Sequence, residues 1–221
     1  SMMTKGVIGG QMIYPIINDE WQINRVQEQK VMQCLAQADQ QSGCEVYVSI
    51  HLGGYLVFGG NKAGLKALEA LLPVVQERYP MNLFNHAAFH TPLLHDVSKQ
   101  AMKLMSAELF NAPEIPLIDG LGQIWQPYSC DVEQLHNYTL STQVVEPYNF
   151  SKAIEVAIKE FAPDKLIILG PGATLGGAVA QSLISHDWLN LTSKADFIAQ
   201  QKEDPYILAM GLAEQRKSVV L

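Results

Sequence analysis

Three histidines fall within ten residues, at His86, His90 and His95, and the middle one stands where a neutral imidazole is favoured. It lies in "HAAFHTPLL" (86–94), between an apolar strand-like run and a Thr91-Pro92 pair. Thr before Pro reads as an N-cap followed by a first helical residue. The positive end of a helix disfavours imidazolium, leaving a neutral ring that can take a proton. The residues alone also allow a capping or core histidine. His86 and His90 can share a face, but His95 lies a helical turn onward and no carboxylate-rich motif accompanies them, so no metal site is read here. The run Gly170-Pro171-Gly172-Ala173-Thr174-Leu175-Gly176 joins the apolar "KLIILG" to a helix, as a dinucleotide loop does. No further strand with an acidic end follows at about 20 residues, so it reads as a tight strand-to-helix turn. Cys130 near His136 has nothing beside it in sequence to lower a thiol pKa. With Cys34 and Cys44 it makes an odd count without C-x-x-C spacing, which argues against both a disulfide framework and a zinc site. No cofactor is implied by any of these residues.

The elements that would position His90 follow from periodicity. "QMIYPII" (11–17) is a β run, and residues 21–38 carry Ile23, Val26, Val31, Leu35 and Ala38 on a helical stripe. "EVYVSIHL" and "YLVFGG" are β runs separated by Gly53-Gly54, a hairpin signal. Residues 62–76 place Leu65, Leu68, Leu72 and Val75 at helical spacing, and a strand is expected over 81–89. The order is the βαββαβ of a ferredoxin-like unit, covering residues 10–89. From Thr91 a helix to about residue 110, a strand "IPLID" (115–119), helices over 131–140 and 150–161, the strand "KLIILG" and a helix to about 184 alternate as in a parallel α/β sheet. Residues 90–186 are read as that α/β part, and 187–221 as a tail that packs across the surface with short helices. About two strands is few for a sheet, so neighbours are expected from another segment.

At 221 residues and 48% hydrophobic, the chain has apolar material for one sizeable core or two small ones. No apolar run approaches the roughly 20 residues of a bilayer crossing, and no basic-then-apolar leader opens the sequence. A cytoplasmic location is expected. A formal net charge of -7 argues against non-specific nucleic-acid or anionic-membrane partners.

An embedded ferredoxin-like unit, then "AFHTPLL", then "Q-x-x-x-P" in "TQVVEPYNF", then strand-G-P-G-x-x-L-helix resembles the malonyl-CoA:acyl carrier protein transacylase family of fatty acid and polyketide synthesis. The resemblance runs roughly from residue 6 to 185. It implies an α/β fold, with the ferredoxin-like subdomain joined to part of an α/β-hydrolase-like parallel-sheet core. It also implies His90 as catalytic base, Gln143 as the residue whose backbone carbonyl holds the imidazole, and Phe89 as a selector of malonyl over branched units. His51 stands where the family usually has Asn and is expected to line the cleft between subdomains. The implied partners are malonyl-CoA and the phosphopantetheine arm of an acyl carrier protein, in a Ser-His ping-pong transfer.

The departures are specific. No Gly-x-Ser-x-Gly occurs in these 221 residues, and the opening "SMMTKGVIGGQM" resembles the segment just after the family's carboxylate-gripping arginine. Ile168 stands where a Glu commonly precedes GPG. The chain therefore resembles the C-terminal two thirds of a transacylase, with the segment bearing the nucleophile and oxyanion loop as an expected partner, and alone it is expected to be inactive. A non-catalytic carrier-docking or scaffold module is the alternative reading.

Overall fold

The computed structural model describes residues 8–220. The N-terminal half is built on β1 (Gly10–Pro15), α1 (Arg25–Asp39), β2 (Val46–Leu52), β3 (Tyr55–Gly60), α2 (Lys62–Leu71) and β4 (Met81–Leu83). The strands share one antiparallel sheet in the order β4-β1-β3-β2, the ferredoxin-like arrangement. Alternation decides its two faces. Met12, Tyr14, Leu56 and Phe58 point towards the helices and pack with Val31, Leu35, Leu65 and Leu68 in a buried core. Both helices begin at asparagine caps, Asn24 accepting from the Gln27 N–H and Asn61 from the Gly64 N–H. The opposite face carries Gln11, Val57 and Gly59, and the chain lays the His90 segment over it.

Several spans are shorter than the periodicity suggests. β4 ends at Leu83, because residues 84–91 leave the ladder through left-handed Asn85 and His90. Pro92–Leu94 form a 3-10 turn leading into α3 (His95–Leu104). Thr91 stands at the expected cap position, but its hydroxyl donates to the Ala88 carbonyl at 2.6 Å instead of capping the helix.

The expected strand at 115–119 is only β5 (Leu117–Ile118), hairpinned against β6 (Ile124–Trp125). The buried Asp119 carboxylate makes that turn by accepting from the Leu121 and Gln123 N–H groups and from Trp125 Nε1. α4 (Val132–Asn137) does not stop near residue 140. It runs on through a π-helical turn, Tyr138–Thr142, into α5 (Gln143–Val145). β7 (Tyr148–Asn149) then adds to the free edge of β2 in parallel, and α6 (Phe150–Phe161) follows.

The second core forms where α6 and α7 (Leu175–Ser185) pack over β8 (Leu166–Ile168). The segment read as a surface tail supplies more than the expected helices, of which α8 (Lys194–Glu203) is one. It also supplies β9 (Ile207–Ala209), parallel to β8, with Leu191, Tyr206 and Ile207 buried. The two halves meet where the β2–β3 turn docks on α7. The Gly54 N–H donates to Gln181 Oε1 at 2.8 Å, and a Cβ on Gly53 would stand 2.5 Å from the Ala178 carbonyl. Among the described residues, no helix is long and apolar enough to cross a membrane.

Candidate active site around His90

The loop, α5 and β7 converge on one imidazole. His90 Nδ1 lies 2.5 Å from the backbone carbonyl of Gln143. A carbonyl only accepts, so Nδ1 carries the hydrogen, and in the neutral ring the lone pair is on Nε2. Among the described residues, Nε2 has no hydrogen-bond partner.

The free carbonyl has a sequence cause. In a continuing helix the Gln143 C=O would accept from the N–H four residues on, and residue 147 is Pro, which has none. Proline also confines the preceding residue to extended backbone, and Glu146 leaves the helix at φ −113°, ψ 154°. The Gln143 carbonyl is thus an orphan of a helix C-terminus, carrying the partial negative charge of that end.

Burial pushes the His90 pKa below the ordinary histidine value, and the Gln143 carbonyl offsets part of that shift by favouring the charged ring. The balance leaves a neutral base at neutral pH. Its backbone is left-handed, φ 56°. For a residue with a side chain this costs on the order of 1–3 kcal/mol and persists only where the surroundings hold it.

Tyr148 is the nearest aromatic neighbour, its ring 5.5 Å from that of His90, and the Phe89 ring lies 6.5 Å away. Tyr148 rests on Gly120, where a Cβ would stand 2.5 Å from the ring. Burial first, and the Asp119 charge second, raise the Tyr148 pKa, so its hydroxyl stays protonated.

Solved structures of similar fold are malonyl transacylases. A malonyl-CoA:acyl carrier protein transacylase from Xanthomonas oryzae pv. oryzae superposes with a TM-score of 0.67 at 17% identity, over 99% of this chain and 59% of that one. An acyl carrier protein S-malonyltransferase from Vibrio cholerae O1 gives 0.67 at 19% identity, over 99% and 61%. A malonyl-transacylase solved in complex with a type II polyketide synthase acyl-carrier protein gives 0.64 at 18%, over 83% and 55%. This chain has the malonyl-CoA:acyl carrier protein transacylase fold. It spans about three fifths of the length of the first two of these structures. No protein-family model matches it, and no curated protein does.

Within this transacylase fold His90, Gln143 and Phe89 come together, and His51 does not join them. In the β2–β7 pairing Ile50 is opposite Tyr148, so His51, one residue on, points to the other face of the sheet. There it lines a cavity of about 240 Å³ between the two halves, with Ile16, Arg25 and Glu28 from the first and Lys152 and His186 from the second. Burial lowers its pKa.

His136 gives its Nε2 to the Met105 carbonyl at 2.7 Å, and Cys130 packs against the small core of Trp125, Leu135 and Tyr138. Gly170 and Gly172 take positive φ in a tight turn, and the latter is in close contact with Gly211. Among the described residues, no group of three or more His, Cys, Asp or Glu is placed to hold a metal ion. Tyr148 was not singled out from the sequence. Its one signal is its place directly after the Pro of "Q-x-x-x-P".

Proposed function

We propose that this chain supplies the general base of an acyl transfer in which malonyl moves from malonyl-CoA to the phosphopantetheine thiol of an acyl carrier protein. The observation that carries the reading is the His90 Nδ1 contact with the Gln143 carbonyl, which leaves Nε2 unprotonated in the neutral ring. Such a ring removes the proton from a serine as it attacks the thioester and returns it to the leaving thiol. It then repeats the step for the carrier thiol in a ping-pong cycle. A main-chain carbonyl sets the tautomer without an acidic third member. Phe89 borders the space beside the base and selects against branched acyl groups.

The partners fit what the neighbours are named for, one of them being bound to an acyl carrier protein. The nucleophile comes from outside these 221 residues, since no Gly-x-Ser-x-Gly occurs within them. Two measurements test the reading. Incubated alone with labelled malonyl-CoA, the chain takes up no covalent acyl group, and a stable adduct on any of its residues would overturn the assignment. In a protein that joins these residues to a serine-bearing segment, His90→Ala lowers transfer by roughly 10²–10⁴, the usual contribution of a positioned base. Near-normal turnover in a folded variant would return His90 to a capping role and require another base.

A further inference from the structure

The sheet face that carries His90 holds a second polar chain, which runs from exposed His86 into the interior. Gln11 is 3% exposed and Ser49 is fully buried. Gln11 Nε2 donates to Ser49 Oγ at 2.7 Å, Ser49 Oγ donates to the Phe89 carbonyl at 2.7 Å, and Gln11 Oε1 lies 2.8 Å from His86 Nδ1. Counting protons sets the direction of each bond. The Phe89 carbonyl only accepts, so Ser49 gives its single proton there and must receive one from Gln11. That turns Nε2 of Gln11 towards Ser49 and Oε1 towards His86, whose Nδ1 therefore bears a hydrogen. The chain runs one way, and it ends on the peptide that joins Phe89 to His90.

The backbone is shaped to deliver Ser49 to that peptide. The register of β2 against β3 shifts between Val48 and Ile50, which makes Ser49 the extra residue of a bulge, a feature that re-aims a side chain. Gly59 on β3 leaves the room for the loop, since a Cβ there would stand 2.7 Å from Thr91 Cγ2 and 3.4 Å from the Phe89 carbonyl oxygen. On the other side of the same peptide, Thr91 Oγ1 holds the Ala88 carbonyl.

We infer that Gln11 and Ser49 are positioning residues for His90: through the Phe89 carbonyl they orient the 89–90 peptide, which sets the left-handed backbone of His90 and brings its Nδ1 onto the Gln143 carbonyl. A left-handed non-glycine residue lasts only where its surroundings over-determine it, and this chain of bonds is that over-determination. The inference builds on the reading of His90 as a base, but its test does not require turnover.

The experiment uses the 221-residue chain labelled with 15N. Long-range 1H–15N spectra report the His90 tautomer and the exchange rate of its Nδ1 proton, with the signals identified by their loss in His90→Gln. In the unsubstituted chain the Nδ1 proton is protected and Nε2 is bare once the ring is neutral. In Ser49→Ala and Gln11→Ala that proton exchanges roughly tenfold faster, as expected when one buried hydrogen bond is lost, and an Nε2–H population appears. Ser49→Thr keeps the hydroxyl and restores the original spectrum.

Ser182→Ala is the control. Ser182 is 1% exposed and its hydroxyl donates to the Ala178 carbonyl at 2.9 Å, so the variant loses a buried hydroxyl bond outside the Gln11–Ser49–Phe89 chain and should leave His90 unmoved. Folded Ser49→Ala and Gln11→Ala chains with unchanged His90 signals would overturn the inference, as would an equal response to Ser182→Ala. If Ser49→Ala does not fold, Ser49→Cys, close in volume and a weak donor, reads the same exchange rate. Full turnover by His90→Ala would remove the catalytic reading and leave this result standing.

Discussion

At the scale of single residues, the candidate site separates what a side chain does from what a backbone does. Gln143 contributes a carbonyl that any residue supplies. Gln143→Ala should therefore leave acyl transfer close to that of the parent protein, in contrast to the loss expected for His90→Ala. Under the proposed function Phe89 is the opposite case, with its ring as the contribution. Phe89→Ser opens space beside His90, and a branched acyl donor should gain on malonyl by about 1 kcal/mol in the ratio of kcat/KM values, the discrimination a pocket gives for one methylene. An unchanged ratio would show that Phe89 does not border the acyl group.

At the scale of elements, the decisive feature is the way the helical run from α4 to α5 stops. Pro147 removes the N–H that would claim the Gln143 carbonyl and keeps Glu146 extended, so one residue both ends the helix and frees the acceptor. Pro147→Ala lifts both constraints and lets the helix continue and compete for that carbonyl. The hydrogen bond is what raises the His90 pKa against burial. Its loss should lower the imidazole pKa, read from the titration of the His90 ring proton by NMR. A pKa that stays put or rises would mean that the proline is not what keeps the carbonyl available.

At the scale of the whole molecule, the two larger cores are joined by polar contacts, and three half-buried histidines report on the fold. Burial lowers the pKa of His51, of His90 and of His186. The unfolded chain therefore binds more protons than the folded one as pH falls below the ordinary histidine value of about 6.5. Stability should be full above that value and decline beneath it, down through the lowered folded-state values. Glu155 adds to the acid side of the curve. Hydrogen bonds from Lys159 and Lys152 hold its pKa down to about 2, so its contribution is present above the ordinary carboxylate range and is lost as pH falls towards that value. The urea midpoint should be lower at pH 5 than at pH 7.5, and His51→Gln should flatten the difference. Equal midpoints at the two pH values would contradict the sign.

Much of this was legible in the sequence, because it is written in local periodicity and turn chemistry. The β runs "QMIYPII" and "YLVFGG", the Gly53-Gly54 turn and the leucine spacing over 62–76 imply the βαββαβ unit without reference to anything distant. For "AFHTPLL" and "TQVVEPYNF" it was the resemblance to the transacylase family that marked His90 as a base and the Gln143 carbonyl as its holder, since residue types alone leave His90 open to a capping or core role and any residue has a carbonyl. What depended on tertiary structure was everything that joins residues far apart in the chain. β9 comes from a short apolar run that gains its strand only by lying beside β8, and β7 exists because two residues after Pro147 meet the edge of β2. The face of the sheet reached by each side chain was decided by register, which sent His51 away from His90 and a bulged Ser49 towards it. A strand's period of two fixes alternation but not which face a partner covers, and no local pattern records a hydrogen bond from residue 11 to residue 49 and on to residue 89.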